Sequence, residues 1–378
     1  MKGDGDRVLG LIVNPVAGLG GRVGLKGSDG IDIQRRALAL GAEPAATQRA
    51  VEALRRVEGI GGRIALLTCA AAMGEDAARA AGLSAVIVHA PPTSSTSAED
   101  TRAAARAMRD RGVDLILFAG GDGTARDLHA ALGDALPVLG IPAGVKIQSG
   151  VFAVTPAAAG QLASRCLGAA GAPLRDAEVV DLDEEAYRRG EVAPRLYGTM
   201  RIPFERSLVQ GRKSPTRLGS AATLEAIALD IVQEMRADRL DIVGPGTTTR
   251  PILSRLGLAK TLIGVDVVLG GRLLCADAGE TDLLRLLADH PARIVVTPIG
   301  GQGHILGRGN QPISPAVIRR AGPGNIVVVS AVEKIHALEG RPLLVDTGDP
   351  ALDRELSGYA RIVTGYGERI VYRIATPG

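Results

Sequence analysis

The chemistry-bearing residues cluster first at Gly120-Gly-Asp-Gly-Thr124, where a single carboxylate, Asp122, stands between glycines. Glycines at this spacing let backbone N–H groups approach an anion, most readily where a strand gives way to a helix. A carboxylate held there can take the proton of an attacking hydroxyl. Phosphoryl transfer to a hydroxyl needs a phosphate cradle, a divalent cation, positive charge near the transferring group and an acceptor for the proton. Gly18, Gly20 and Gly21, in the loop after Asn14-Pro15, offer a second cradle or a plain surface turn. Lys146, in Pro142-Ala-Gly-Val-Lys146, could neutralise a transferring phosphoryl group or could be a solvated loop lysine. Gly244-Pro-Gly-Thr-Thr-Thr-Arg250 repeats the glycine-and-hydroxyl pattern, and its three threonines are expected to line a polar cleft. Thr297-Pro-Ile-Gly-Gly-Gln-Gly303, with Asn310 beyond it, places another glycine turn after an apolar run.

These loops need rigid elements behind them. Leu115 to Ala119 is a short, continuously apolar run, the pattern of a strand buried on both faces of a parallel sheet. Leu128, Ala131 and Leu132 mark the helix that follows, with Thr124 as its expected N-cap and Asp127 completing a capping box. Further strands are predicted over 8–13, 64–67, 85–88 and 137–141, and helices over 47–58, 75–81 and 98–111. Ser97 with Asp100 fits a capping box for the last of these, and Thr93-Ser-Ser-Thr-Ser97 could also touch a nucleotide. This alternation implies a parallel sheet covered on both faces, with Asp122 at the carboxyl end of a central strand. After about residue 178 strands and helices mix less regularly. Charged turns at Arg188-Arg189 and Gly211-Arg-Lys213 read as solvated loops, the latter alternatively as a cover over phosphates. The expected division is a nucleotide-binding α/β domain over 1–150, a mixed α/β substrate domain over 151–345 and a strand-rich segment over 346–378.

Composition narrows the function. A chain of 378 residues suggests two domains, and 46% hydrophobic content with 2% aromatics and no Trp requires a core of Ala, Val, Leu and Ile. A net charge of +3 and the scarcity of stacking aromatics argue against nucleic acid as a partner. Cys69, Cys166 and Cys275 stand apart, which argues against a disulfide framework or a structural zinc site. The polar N-terminus has no signal-peptide run, and no apolar stretch reaches the ~18 residues of a membrane span, so a cytoplasmic protein is expected. Gly-x-x-x-x-Gly-Lys-Ser/Thr, His-Glu-x-x-His and Gly-x-Ser-x-Gly are all absent. Of the five histidines only His304 falls in a candidate loop.

Gly120-Gly-Asp-Gly-Thr124 resembles the signature of the superfamily that joins NAD kinases to diacylglycerol and sphingosine kinases. Asn14-Pro15 with Gly18, Ile141-Pro-Ala-Gly-Val-Lys146, Thr297-Pro-Ile-Gly-Gly-Gln302 and Gly307-Arg-Gly-Asn310 resemble the ATP-NAD kinase family in its AcoX-like branch, over nearly the whole length. The resemblance implies an ATP- and Mg²⁺-dependent phosphotransferase in which Asp122 deprotonates the acceptor and Lys146 assists. It implies nucleotide contacts from Asn14, Gly18, Gly20, Gly21, Gly120, Gly121, Gly123 and Thr124. Acceptor contacts are expected from Gly246, Thr247, Thr248, Thr249, Thr297, Gly300, Gly301, Gln302 and Asn310. The final segment is expected to return to the first domain, and Mg²⁺ to be held by phosphates and water rather than by a protein cage. The chain departs from the family pattern in having no Asn-Glu pair and in carrying Gly-Gln-Gly-His at 301–304 in place of Ser-Thr-Ala-Tyr. The expected acceptor is a small molecule, the 2′-hydroxyl of NAD first, another sugar or polyol hydroxyl second. A nucleotide sensor without turnover is the alternative class. A homo-oligomer, without nucleic acid or membrane partners, is expected.

Overall fold

The computed structural model describes residues 7–21, 23–25, 31–42, 44–93, 96–144, 147–182, 194–205, 208–209, 220–261, 263–299 and 302–377, the side chains of 31–34 excepted. Lys146, Gly300, Gly301, Ser94-Ser95 and the charged turns at 188–189 and 211–213 lie outside them.

The chain divides into two compact units, each interrupted in sequence. The first takes residues up to Leu19 and Glu43–Arg212, and the second takes Gly20–Ala42 and Lys213–Pro377. In the first unit β1 (Arg7–Val13), β2 (Ile64–Cys69), β3 (Val86–His89), β4 (Leu115–Gly120) and β5 (Val138–Pro142) form a wholly parallel sheet in the order β3-β2-β1-β4-β5. The apolar run at 115–119 is an interior strand: Leu9 to Val13 of β1 pair with Leu115 to Ala119, and β5 pairs along the other edge up to Gly120 and Pro142. Every residue of β4 is buried, as a strand covered on both faces must be. The covering helices are α2 (Ala46–Leu54), α3 (Glu75–Ala80), α4 (Ala98–Asp110), α5 (Asp122–Leu132) and α6 (Pro156–Leu167), while α1 (Ile31–Ala39) belongs to the second unit.

A core poor in aromatics is closed by small residues at contact points. Phe118 and Phe152, two of the three phenylalanines, meet edge to face with centroids 5.2 Å apart. The Phe152 ring lies over Gly140, where a Cβ would approach it to 2.2 Å. Gly160 of α6 lets the α2 backbone come as close, since a Cβ there would sit 2.1 Å from the Ala53 carbonyl oxygen. The capping box of α4 is present: Ser97 Oγ accepts from Asp100 N at 3.3 Å, and Asp100 Oδ2 accepts from Ser97 N at 2.8 Å. Ser97 therefore serves the helix.

The first core does not stop at residue 150. Phe152, Leu162, Val179, Met200 and Ile202 belong to it, contributed by α6 and by the antiparallel ribbon of β6 (Leu174–Leu182) and β7 (Pro194–Pro203). The expected boundary at 150 is corrected by these contacts to the vicinity of residue 212.

The second unit is a nine-stranded mixed sheet. Its strands are β8 (Leu240–Val243), β9 (Asp266–Leu269), β10 (Arg272–Cys275), β11 (Ala292–Val296), β12 (His304–Leu306), β13 (Ile326–Val329), β14 (Leu343–Val345), β15 (Gly358–Gly365) and β16 (Glu368–Ala375). They run in the order β10-β9-β8-β11-β13-β15-β16-β14-β12, with β8, β11, β13 and β15 parallel. Alternate residues feed two cores, Ile242, Ile294 and Val328 on one face and Val243, Val295 and Val329 on the other. Across β8 and β11, Asp241 pairs with Arg293, whose Nε donates to Asp241 Oδ1 at 2.6 Å and whose Nη1 donates to Glu234 Oε2 at 2.9 Å. The C-terminal strands β15 and β16 complete this sheet, which corrects the expectation that the last segment returns to the first domain. Their apolar faces pack into the second unit's cores through Ile362, Val363 and Ile374. The excursion Gly20–Ala42 also packs in this unit, with Val23 and Gly24 against Asp277 and Gly279.

Candidate active site

In the first unit the loops after β1, β4 and β5 meet at the carboxyl edge of the sheet, where ligands bind in open α/β folds. The Gly120 carbonyl accepts from Ala143 N at 3.0 Å and Gly144 N at 2.9 Å. Gly18 has φ +79°, and a Cβ there would lie 2.1 Å from the Ala143 carbonyl oxygen. Asn14 N donates to the Ala119 carbonyl at 2.9 Å, and its side-chain Oδ1 accepts from Val16 N at 3.2 Å. Its Nδ2 reaches Thr124 Oγ1 at 3.0 Å, tying the end of β1 to the start of α5.

The expected cap of α5 is corrected here. Gly121, extended at φ −123°, is the N-cap, so Asp122 is the first helical residue and Thr124 the third. Asp127 is engaged by Arg102 Nη1 at 2.9 Å instead of completing a capping box. Thr124 packs its side chain over Gly120, where a Cβ would come within 2.5 Å of Oγ1.

Asp122 is only 6% exposed, which sequence spacing alone does not foresee for an acid flanked by glycines. Its Oδ2 accepts from Gln148 N at 2.7 Å and its Oδ1 from Ser149 N at 2.9 Å. Ser149 is fixed in turn, its Oγ donating to the Val180 carbonyl at 2.7 Å. Burial pushes the Asp122 carboxyl up to about 7, against the pull of the Ser149 and Gln148 hydrogen bonds, and the Asp181 charge pushes the same way as burial. Asp181 itself is paired with Arg126 Nη1 at 2.8 Å. A carboxyl poised near neutrality beside glycine loops can exchange a proton at working pH. Next to it there is room: a Cβ on Gly123 would meet nothing nearer than 3.9 Å.

The second unit gathers its own polar loops at the carboxyl ends of β8 and β11. Gly244 N donates to the Val295 carbonyl at 2.8 Å, and Gly246, at φ +139°, leaves room for Thr297, whose Cγ2 a Cβ would approach to 2.4 Å. The open cleft lined by three threonine hydroxyls is corrected. Thr249 Oγ1 donates to the carbonyls of Gly244 at 2.8 Å and Gly246 at 3.0 Å, closing its own turn. Thr248 is buried, its Oγ1 accepting from Lys334 Nζ at 3.1 Å, and of the three only Thr247 is exposed. Lys334 also donates to Thr297 Oγ1 at 3.4 Å and to the Pro298 carbonyl at 3.2 Å.

Two family descriptions match the chain, the ATP-NAD kinase N-terminal domain over residues 9–170 and the ATP-NAD kinase C-terminal domain over 240–374. The chain belongs to the ATP-NAD kinase family. Membership implies a phosphotransferase. No curated protein and no solved structure matches the chain.

Within this kinase-family chain the first unit brings Asn14, Gly18, Gly120, Gly121, Gly123 and Thr124 together around Asp122. Gly20 and Gly21 belong to the second unit, where their carbonyls accept from Leu25 and Gly24 in a buried turn. Gln302 and Thr297 are buried near the Lys334 cluster's turn. Asn310 closes its own loop, with Oδ1 accepting from Gly307 N at 3.1 Å and Nδ2 donating to the Ile305 carbonyl at 2.8 Å. Lys334 and Ser149 are the residues that sequence reasoning missed. Lys334 had one visible signal: it follows the apolar strand Ile326–Val329 at the distance where the other strands carry their polar loops. No helix among the described residues is long and apolar enough to cross a membrane.

Proposed function

We propose that this chain transfers the γ-phosphoryl group of Mg-ATP to the ribose 2′-hydroxyl of NAD, with Asp122 as general base. The acceptor oxygen bonds to the γ-phosphorus, the bond to the β–γ bridging oxygen breaks, ADP departs, and the hydroxyl proton passes to Asp122. The observation that carries this reading is a buried carboxyl at the carboxyl end of β4, raised to about 7, at the meeting point of three glycine-bearing loops. Each Asp122 oxygen accepts one backbone N–H, and a carboxylate has about four acceptor sites, so it can take a proton without releasing Gln148 or Ser149. A general base so placed supplies ~10²- to 10⁴-fold, and positioning and electrostatics supply the rest.

Mg²⁺, bound through phosphate oxygens and water, would supply neutralisation of the nucleotide's charge. Lys146 is assigned the neutralisation of the transferring group, and the glycines at 18 and 120–123 the contacts to ATP. Thr297, Gln302 and the loop around Gly246 are assigned to the acceptor.

The missing Asn-Glu pair and the Gly-Gln-Gly-His sequence at 301–304 favour a second reading, an AcoX-like kinase of another sugar or polyol hydroxyl. Incubation with Mg-ATP and NAD, NADH, phosphosugars and polyols, read by mass spectrometry, separates the two. A gain of about 80 mass units, the HPO₃ transferred, on NAD is the expected result. A phosphorylated product other than NADP removes NAD and keeps the kinase. No product from any acceptor, with folded protein that binds ATP, favours a nucleotide sensor.

A further inference from the structure

Asp122 has two charged neighbours that its proposed role leaves unused. Arg126 stands one turn beyond it on α5, the spacing at which an acid and a base meet on one helix face. Its Nη1 nevertheless donates to Asp181 Oδ2 of β6 at 2.8 Å. Both groups border the residue that follows the carboxyl: a Cβ on Gly123 would lie 3.9 Å from Arg126 Nη2 and 4.0 Å from Asp181 Oδ2. The Arg126 guanidinium is steadied by the Tyr197 ring of β7, whose centroid lies 5.7 Å away, and Arg195 lies 5.3 Å from the same ring.

Strand β6 thus acts on Asp122 twice. Val180 holds Ser149 by a reciprocal pair, its N donating to Ser149 Oγ at 3.0 Å and its carbonyl accepting from that hydroxyl at 2.7 Å. Ser149 N is in turn one of the two donors to the carboxyl. The next residue along the strand, Asp181, brings a negative charge to the same corner. Burial is the larger influence on the Asp122 proton, and the Asp181 charge acts in the same direction. Among the described residues, other charged or titratable groups on α5 and the elements packed against it are engaged elsewhere. Asp127 is held by Arg102 of α4, His129 lies against Gly198 of β7, and Arg201 donates to the Asp134 carbonyl. Glu178 stands further back along β6, where its carbonyl accepts from Gly150 N. The loops after β1 and β5 bring the neutral Asn14, Gln148 and Ser149.

We propose that Asp181 and Arg126 are a positioning pair that sets, through opposed charges, the pH at which Asp122 accepts the hydroxyl proton. This rests on the reading of Asp122 as the general base. Asp181 makes the carboxyl hold a proton more firmly, and Arg126 restrains that effect by covering Asp181 and by its own charge one turn away. A base of ordinary carboxyl strength draws weakly on a hydroxyl proton, and one raised far above neutrality is already protonated when the substrate arrives. The test uses the full chain and three substitutions, Asp181→Asn, Arg126→Met and Arg126→Lys. The probe is the Asp122 carboxyl itself, followed by carbon NMR in protein labelled at the aspartate carboxyl carbon and identified by the signal missing in Asp122→Asn. The expected result is a titration midpoint lowered by about half a pH unit or more in Asp181→Asn and raised by a similar amount in Arg126→Met. Arg126→Lys keeps the charge and should stay close to the parent. The kcat–pH profile with Mg-ATP and NAD should move in the same directions, whereas a merely structural pair would lower kcat and leave the midpoint in place. Asp181→Asn keeps the side-chain shape and carries the test where Arg126→Met does not fold by circular dichroism. Opposite shifts in the NMR titration support the inference even where no kinase activity is found, which separates its failure from that of the proposed reaction. Unmoved midpoints, shifts of the same sign in Asp181→Asn and Arg126→Met, or Arg126→Lys shifting as far as Arg126→Met, overturn it.

Discussion

Asp122→Asn is expected to make the protein less active and, above neutral pH, more stable. The substitution keeps the side-chain shape and removes the charge. In the folded chain burial raises the carboxyl from 3.8 to about 7. A group whose folded pKa is raised holds its proton in the native state after the unfolded chain has ionised, so native stability falls as pH climbs from about 4 to about 7. At 1.36 kcal/mol per unit, the penalty approaches about 4 kcal/mol above pH 7 and is absent below both pKa values. Asparagine stays neutral throughout and is free of this penalty. Its NH₂ group offers no acceptor to one of the two N–H donors from Gln148 and Ser149, whereas a protonated carboxyl keeps a lone pair on each oxygen, so the substitution costs about 1–3 kcal/mol at every pH. The variant should therefore move from about the parent's stability at pH 5 to an advantage of about 1–3 kcal/mol at pH 8. For a unit of this size that corresponds to a Tm raised by roughly 5 °C at the higher pH. Thermal unfolding followed by circular dichroism suits a chain without Trp. On the same preparation kcat should fall ~10²- to 10⁴-fold with ATP affinity retained, and the parent's kcat should rise with pH to half its plateau near 7. A variant less stable than the parent at pH 8 would mean that the two backbone bonds outweigh burial and that Asp122 is a structural anion. Undiminished turnover would remove it from the mechanism.

Two further outcomes test the supporting geometry. Gly18→Ala places a Cβ 2.1 Å from the Ala143 carbonyl at a left-handed φ, so it should cost more than about 2 kcal/mol and weaken ATP binding at least ten-fold by calorimetry. Arg293→Met leaves Asp241 buried without its guanidinium, a loss of about 3–5 kcal/mol in urea unfolding, and a change below about 1 kcal/mol would contradict the pairing.

The legible parts of the fold were those set by local patterning. Leu115 to Ala119 read as a doubly buried strand because nothing polar interrupts it, and the Ser97–Asp100 box read correctly because both partners are three residues apart. Features set by distant contacts were not legible. Thr124 looked like a cap until Asn14 drew its hydroxyl and Gly121 took the capping position. Thr248 and Thr249 looked solvated because hydroxyls usually are, but a lysine 86 residues away and two local carbonyls turn them inward. Gly270 and Gly271, both with positive φ, form the two-residue turn of a β9–β10 hairpin. That glycine pair was a readable hairpin signal.

The excursion Gly20–Ala42 gives the chain an awkward order of birth. It leaves the ribosome directly after β1, yet the sheet that receives it begins beyond residue 213, about 170 residues later. At ordinary synthesis speeds of 5–20 residues per second the segment waits roughly 10 to 30 seconds for its partners. Meanwhile β1, the middle strand of the first sheet, can be joined by β2 and β4 as soon as they emerge. The first sheet can thus close while a tethered loop leaves Ala37, a residue buried in the finished protein, out in solvent or in a chaperone's grip. Splitting the gene at residue 213 would leave the upstream piece with its sheet entire and the downstream piece without a part of its own body.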